Sequence, residues 1–258
     1  MKKIGIVGFG NLGRAFAKAL VEHRIYERGD ILVCSKSEAT LALAREQFGI
    51  GATLDVNEVF RSCEYVFLAV KKNVFLEFAP KIERTSLVGK TVVSFMAGFP
   101  AGEIREALGG GAVIARAMPT LAIVDARGII AYTKECDRAV RDAFHRLGFA
   151  FEVAEEDIEK TTVYAACGLG FAAYLIDAYI RAGITLGFDE HTSKRIAEMN
   201  FASAIRRSDY PATMSEVATK GGLTEYGFRR MTGDGVDAGI EAAVLATYRK
   251  SRGEPVED

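Results

Sequence analysis

Six residues near the start of the chain have the types and spacing of a phosphate-binding turn. They follow the apolar run 3–7 and precede a segment with helical spacing. In such a strand–turn–helix context the first glycine permits a tight turn, the second lets the backbone approach a pyrophosphate, and the third allows close helix–strand packing. Amide groups at the helix N-terminus then face the phosphate charge. We therefore predict a dinucleotide-binding turn, rather than a purely structural one, at Gly8, Phe9, Gly10, Asn11, Leu12 and Gly13.

The end of the second predicted strand carries the residues that would meet the adenosine ribose of such a dinucleotide. An enzyme that uses NAD usually places Asp or Glu there, about 20 residues beyond the turn, to bind the ribose hydroxyls. This chain has Cys34-Ser35-Lys36-Ser37 instead, with two hydroxyls, one ammonium group and no carboxylate. Such a set attracts a 2′-phosphate. We expect Ser35, Lys36 and Ser37 to bind the cofactor and to favour NADP(H) over NAD(H); the alternative is that Lys36 is a solvated loop charge.

The elements that would position these residues alternate between short apolar runs and helical patterns. The predicted strands cover 3–7, 31–34, 51–53, 65–70, 91–95, 112–116 and 128–132. The predicted helices cover 11–22, 38–48, 55–62, 73–83 and 102–108. This alternation predicts an α/β fold with a doubly wound, Rossmann-type, mostly parallel sheet.

The second half of the chain contains helical patterns only, at 155–183, 189–207, 212–219, 224–231 and 236–250, with Asp189 as a candidate N-cap. We therefore predict an NADP-binding Rossmann domain at 1–152 and an all-α domain at 153–258. The segment 155–183 is apolar nearly all round, so it must be covered on every side. Because a helical domain of this size has little surface with which to cover it, we expect a second subunit to do so and the protein to be a dimer.

Composition and charge exclude several classes of protein. Lys and Arg number 33 and Asp and Glu 34, so the net charge of −1 gives no general attraction to nucleic acid or to an anionic membrane. The longest uncharged run, between Lys160 and Asp177, is shorter than the roughly 20 residues that span a bilayer. We interpret it as a helix buried in protein. The four cysteines and three histidines do not cluster, which predicts no metal site, no disulfide framework and a cytoplasmic location.

Several further stretches, in order over nearly the whole chain, resemble those of pyrroline-5-carboxylate reductases. Besides the glycine-rich turn they are Leu68-Ala69-Val70-Lys71, Ala97-Gly98, Arg116-Ala117-Met118-Pro119, Glu155-Glu156-Asp157 and Gly221-Gly222-Leu223-Thr224. The resemblance implies a Rossmann domain followed by a helical substrate-binding domain that interlocks with its partner in a homodimer, or in a larger oligomer built from dimers. It also implies NAD(P)H-dependent reduction of a cyclic imine carboxylate, with 1-pyrroline-5-carboxylate and its product proline as the leading pair.

The same resemblance implies the remaining site residues. Ala69, Val70, Lys71, Ala97 and Gly98 would line the cofactor and substrate cleft. The signature Ser-Pro-Gly-Gly-Thr-Thr of the family corresponds to Thr219-Lys220-Gly221-Gly222-Leu223-Thr224 here. A Gly-Gly turn that opens a helix exposes amides suited to a carboxylate, although an ordinary loop and N-cap is the alternative. Thr219, Gly221 and Gly222 would thus bind the substrate, and Thr224 would orient or relay a proton to the imine nitrogen while the nicotinamide supplies the hydride.

Departures from the family pattern lie in the half that would bind the substrate. The family's Ser-Gly-Ser-Gly-Pro-Ala is Cys167-Gly168-Leu169-Gly170-Phe171-Ala172 here, and Met118-Pro119 is followed by Thr120-Leu121-Ala122 instead of Asn-Thr-Pro. The alternatives are therefore an imine reductase with a different substrate and a non-catalytic NADP-binding regulatory paralogue. A β-hydroxyacid dehydrogenase is disfavoured, because Tyr174 stands where that family's long helix carries its catalytic lysine.

Overall fold

The computed structural model describes residues 2–255, and its N-terminal part is built on one sheet of eight strands. The strand order is β3-β2-β1-β4-β5-β6-β7-β8; β1 to β6 run parallel, β7 is antiparallel to β6, and β8 is parallel to β7. The strands are β1 Lys2–Val7, β2 Ile31–Cys34, β3 Gly51–Thr53, β4 Cys63–Leu68, β5 Thr91–Ser94, β6 Val113–Pro119, β7 Gly128–Tyr132 and β8 Gly148–Glu152. The order reverses between β1 and β4, and open α/β sheets bind ligands beyond the carboxyl ends of the strands at such a point.

Helices cover both faces of this sheet. They are α1 Asn11–Glu22, α2 Glu38–Phe48, α3 Val56–Ser62, α4 Lys72–Phe78, α5 Ala101–Leu108 and α6 Arg138–Arg146. Alternate residues of the strands enter different cores: Phe67 packs with Phe16 of α1 on one face, and Leu68 packs with Phe75 of α4 on the other. Each such fully buried side chain contributes about 1.5–3 kcal/mol. The predicted doubly wound, mostly parallel sheet is confirmed.

Several predicted boundaries were wrong for local reasons. The helix expected at 73–83 ends at Phe78, because Pro80 has no amide hydrogen and a 3₁₀ turn, Ala79–Lys81, follows instead. The strand expected at 65–70 ends at Leu68, so the predicted site residues after it lie in a loop. The elements α6 and β8 were not predicted. The first is dominated by charged residues, although its buried residues Val140, Ala143 and Phe144 have helical spacing. The second is short and lies at the sheet edge with Phe149 exposed, so it has no clear apolar period.

The chain divides into two compact units, the first ending at Ala166 and the second beginning at Cys167. The last strand ends at Glu152, where we placed the domain boundary; that boundary remains a prediction. The helical elements are α7 Ile158–Thr161, a π-helical turn Thr162–Ala166, α8 Gly168–Thr185, α9 Glu190–Arg207, α10 Tyr210–Val217, α11 Leu223–Gly233 and α12 Val236–Ser251. Asp189 caps α9 as expected, since its carboxylate accepts a hydrogen bond from the amide of Thr192 at 2.9 Å.

The second unit has little core of its own. Within the described range, no residue of α8, α10, α11 or α12 is buried, and in α9 only Ser193 and Ala197 are. The expectation that the apolar helix is buried in protein is therefore not met inside this chain. By length and composition alone Glu155–Thr185 could cross a membrane, and only 11% of its most apolar window is buried.

A buried ion pair in the first unit holds the loop that follows β5. Arg116 on β6 is 3% exposed, and its Nη2 donates to Glu159 Oε1 at 2.6 Å and to the carbonyl oxygen of Met96 at 3.1 Å. The same carboxylate oxygen accepts the amide hydrogen of Gly98 at 2.8 Å. A buried guanidinium is tolerated only when it is paired, because its desolvation costs several kcal/mol. The conformation of residues 96–98 therefore depends on Glu159.

We predict that Glu159→Ala lowers the free energy of unfolding by about 3 kcal/mol, because it leaves the charge of Arg116 buried beside a single, more distant carboxylate. Glu155 is that remaining partner, at 3.8 Å. Urea unfolding followed by circular dichroism measures the change. Glu156→Ala, at an exposed position of the same acidic stretch, is the matched control and should change stability by less than about 0.5 kcal/mol. Equal stabilities of the two variants would contradict the assignment.

Candidate active site

The glycine-rich turn after β1 has two glycines fixed by packing and one that is not. Gly8 has φ +101°, and a Cβ there would overlap the carbonyl oxygen of Ala69. A Cβ at Gly13 would overlap the carbonyl oxygen of Gly8, so α1 can approach the strand only with glycine at this position. Gly10, the N-cap of α1, has open space: apart from its own backbone and its neighbours along the chain, none of the described atoms lies within 4 Å of a Cβ built there. A helix N-terminus with a bare, open approach is suited to a phosphate group.

A cavity of about 330 Å³ adjoins this turn. Its walls are mostly apolar, and they are formed by Val7, Gly8, Cys34, Ser35, Lys36, Leu54, Val56, Val70, Val74 and Phe78. Burial raises the pKa of the Cys34 thiol to about 11, so the thiol stays neutral at physiological pH and acts as a small apolar wall. Apolar walls with a few polar groups at one end are typical of a site for a planar ring that carries a polar substituent. The residues present therefore fit a dinucleotide.

The three residues expected at the ribose differ in what they do. Ser35 and Lys36 line the cavity, whereas the hydroxyl of Ser37 accepts the amide hydrogen of Thr40 at 3.4 Å and caps α2. Lys36 Nζ donates to Glu77 Oε2 at 2.5 Å. This hydrogen bond holds the pKa of the Glu77 carboxyl below its usual range. The end of β2 itself carries no carboxylate, as the sequence indicated, but α4 brings Glu77 to Lys36 from another direction.

The other predicted cofactor residues follow two adjacent strands. Ala69 comes directly after β4 and donates its amide hydrogen to the carbonyl oxygen of Val7 at 2.8 Å. Val70 lines the cavity, and Lys71 is the N-cap of α4. Ala97 and Gly98 follow β5, the strand paired with β4, and Gly98 has φ +62°. The carboxyl ends of parallel strands lie at one edge of a sheet, so these residues share the edge with the glycine-rich turn.

The turn predicted to bind a substrate carboxylate lies in the second unit. Thr219 follows α10, Gly221 has φ +73°, and Gly222 is the N-cap of α11, with Thr224 in the first helical turn. The amide of Gly222 donates to the carbonyl oxygen of Thr219 at 2.8 Å, and the amide of Gly221 donates to Glu225 Oε2 at 2.5 Å. The turn can therefore bind a carboxylate, but the carboxylate bound to it here is the side chain of Glu225 from the same chain. A substrate carboxylate on the Gly221 amide would have to displace Glu225.

Sequence reasoning missed three carboxylates at these places. Glu77, Glu159 and Glu225 each act on a backbone or side-chain group of a predicted site residue. Only Glu225 could have been found, since it stands four positions after Gly221 at the start of a predicted helix. The partners of the other two are 41 and 61 positions away along the chain. Among residues 2–255 there is no group of three His, Cys, Asp or Glu residues placed to hold a metal ion.

Comparison with known proteins gives two family matches along the chain. A family described as NADP oxidoreductase, coenzyme F420-dependent, matches residues 3–98. A family described as pyrroline-5-carboxylate reductase dimerisation matches residues 155–254. The first match contains the glycine-rich turn and the cavity, and the second contains the Gly221–Gly222 turn.

Full-length relatives agree with these matches. Pyrroline-5-carboxylate reductase of Staphylococcus saprophyticus is 25% identical over 261 residues, covering 96% of each chain. The enzyme of that name from Corynebacterium melassecola is 25% identical over 265 residues, covering 97% of this chain and 98% of its own. The crystal structure of Plasmodium falciparum pyrroline carboxylate reductase with NADP bound has a TM-score of 0.87 at 22% identity and covers 97% of both chains, which shows a shared fold. The two matched families, their order and the full-length similarity show that this chain is a divergent member of the pyrroline-5-carboxylate reductase family.

Proposed function

We propose that the chain is an NAD(P)H-dependent oxidoreductase that acts on the C=N bond of a cyclic imine carboxylate, first of all 1-pyrroline-5-carboxylate, with proline as the product. The observation that carries the proposal is the open approach to Gly10 at the N-terminus of α1, next to the cavity. A purely structural turn would have no need of a glycine at a position where a side chain meets nothing. The names of the full-length relatives supply the substrate class.

We assign cofactor binding to the first unit. Gly8, Phe9, Gly10, Asn11, Leu12 and Gly13 would hold the pyrophosphate, Ser35, Lys36 and Ser37 the ribose end, and Ala69, Val70, Lys71, Ala97 and Gly98 the edge of the sheet where the strands end. The reduced nicotinamide supplies the hydride when it is bound. Glu159 would fix the backbone at Gly98 and exclude alternative loop conformations. The ammonium group of Lys36 supports NADP(H) over NAD(H), because it can pair with a 2′-phosphate.

We assign substrate binding and proton handling to the second unit. Thr219, Gly221 and Gly222 would bind the carboxylate of the imine, and the Thr224 hydroxyl would hydrogen-bond to the imine nitrogen. A threonine hydroxyl is a weak acid, so its role would be to orient a proton that comes from water. The carboxylate of Glu225 on the Gly221 amide supports this assignment, because it has the same chemistry as the expected ligand.

The assembly that we propose is a homodimer, or a larger oligomer built from dimers, in the cytoplasm. The second unit exposes large apolar side chains and has an apolar cavity of about 590 Å³, and exposed apolar surface on this scale is typical of an interface. The match to a reductase dimerisation family supports a second copy of the chain, rather than a bilayer, as the cover of the apolar helix.

An imine reductase with a different substrate is the second candidate. Leu223, which replaces the first threonine of the signature, is 93% exposed, so nothing within this chain requires an apolar residue there. Thr120, which replaces the asparagine of the family, is buried, and its hydroxyl accepts the amide hydrogen of Ile129 at 3.0 Å. The structure of the chain therefore explains Thr120 but not Leu223, so a contact of Leu223 with a different substrate would account for that change. A non-catalytic regulatory paralogue that binds NADP is the third candidate.

The three candidates predict different turnover. The main proposal predicts that the protein oxidises NADPH in the presence of 1-pyrroline-5-carboxylate and more slowly with a piperideine carboxylate, measured by the loss of absorbance of the reduced cofactor. Parallel assays with NADH measure the cofactor preference. Faster turnover of another cyclic imine would favour the second candidate, and binding of NADPH without turnover of any imine would favour the third.

We predict that Thr224→Ala lowers kcat by about tenfold to a hundredfold, because a group that places a proton acts mainly on the chemical step. The dissociation constant for NADPH should stay within about twofold, since the substitution lies outside the unit assigned to the cofactor. Thr224→Ser keeps the hydroxyl and is the matched control, which should retain most of the activity. An unchanged kcat in the alanine variant would remove Thr224 from the mechanism.

The glycine-rich turn gives a paired prediction. Gly10→Val should fold with a stability within about 1 kcal/mol of the wild type, because a Cβ at this position has open space, yet it should weaken NADPH binding at least about tenfold by filling the approach to the pyrophosphate. Gly13→Ala should instead destabilise the fold, because its Cβ overlaps the Gly8 carbonyl oxygen. Thermal unfolding and fluorescence titration with NADPH measure both effects. Unchanged NADPH affinity in Gly10→Val would refute the assignment of the turn.

A further inference from the structure

An ion pair between Lys36 and Glu77 lies at the rim of the nucleotide cavity. A site that only had to bind a phosphate would need the lysine but not the glutamate. Lys36 comes from the loop after β2 and Glu77 from α4, and their side chains meet at 2.5 Å between Nζ and Oε2. Nothing in the fold requires this contact, since both side chains are more than half exposed. Exposed ion pairs contribute little to stability, so the pair matters through what it does to a ligand.

The helix α4 fixes the position of Glu77 relative to the cavity. Val74 and Phe78 both line the cavity, and Glu77 stands three positions after the first and one before the second. Residues three and four apart lie on one face of a helix. Glu77 is thus carried at the edge of the cavity by a helix whose Phe75 is fully buried against the sheet.

The negative charge of Glu77 competes with a 2′-phosphate for the ammonium group of Lys36. The hydrogen bond from Lys36 holds the pKa of this carboxyl below its usual range, so the group is ionised at neutral pH. A 2′-phosphate that pairs with Lys36 must displace this carboxylate or bind beside a like charge. A 2′-hydroxyl, by contrast, can donate a hydrogen bond to the carboxylate, which is what an acidic residue at the end of β2 does in NAD-dependent enzymes.

We propose that Glu77 is a specificity-determining residue of the cofactor site, whose carboxylate competes with the 2′-phosphate of NADP(H) for Lys36 and offers an acceptor to the 2′-hydroxyl of NAD(H). With this pair the site can bind both cofactors. Lys36 favours NADP(H), and Glu77 favours NAD(H). This inference rests on the proposed function in one respect only, namely that the cavity binds a nicotinamide dinucleotide. It does not depend on the identity of the imine.

The test is the ratio of the dissociation constants for NADPH and NADH in Glu77→Gln, measured by fluorescence titration at low and at physiological salt. Removing one exposed charge should tighten NADPH binding by roughly fivefold at low salt and by less at higher salt, because the interaction is screened. NADH binding should change by no more than about twofold, since the amide oxygen of Gln still accepts a hydrogen bond. Glu83→Gln is the control, because Glu83 is in a half-exposed ion pair with Arg61 and neither partner lines the cavity, whereas Lys36, the partner of Glu77, does.

The double variant separates competition for Lys36 from a general effect of charge. In a Lys36→Gln background, Glu77→Gln should bring a smaller gain in NADPH affinity than it does in the wild type, because the shared partner is gone. An unchanged NADPH to NADH ratio in Glu77→Gln, or an equal gain in Glu83→Gln, would overturn this inference and leave the reductase proposal standing. A wild-type protein that binds neither dinucleotide would overturn both.

Discussion

The architecture of the first unit depends on one close approach of backbone to backbone. The carbonyl oxygen of Gly8 occupies the place where a Cβ of Gly13 would stand, and the carbonyl oxygen of Ala69 occupies the place of a Cβ at Gly8. These two contacts bring the start of α1 against the ends of β1 and β4. The helix amides then point to the edge of the sheet where the strand order reverses, which is the place at which a doubly wound fold can accept an anion. Any larger residue at either position would move the helix away from that edge.

The sequence was informative wherever its signals were local. The glycine spacing, the continuous apolar strands and the aspartate before α9 each depend on neighbours within a few residues, and the structure has them as expected. The predictions of secondary structure failed where tertiary contacts determine which element forms. The strand β8 has an exposed Phe149 because it lies at the edge of the sheet, and α6 has a charged surface with a narrow buried stripe. The exposure of Phe149 cannot be read from a period in the sequence, whereas the spacing of Val140, Ala143 and Phe144 in α6 is a local helical signal that we missed.

The candidate site was predictable in its glycines and not in its carboxylates. A glycine is demanded by backbone geometry, which leaves a mark in the sequence itself. Glu77 and Glu159 are brought to their partners by the packing of distant elements. Their sequence neighbourhoods are those of ordinary charged helix residues. The absence of a carboxylate at the end of β2 was read correctly from the chain, but the sheet allows α4 to fill the same place from another direction. Charge at a site is a property of the fold, and spacing along the chain is a poor guide to it.

The π-helical turn Thr162–Ala166 has a consequence for the apolar segment that contains it. A turn of this kind holds one more residue than an α-helical turn, so it rotates every following side chain by about 100° relative to the preceding ones. An apolar stripe that is continuous in sequence is thereby divided between two directions. The segment therefore looks apolar on all sides when it is read with a single period, because the register of its apolar residues changes at this turn.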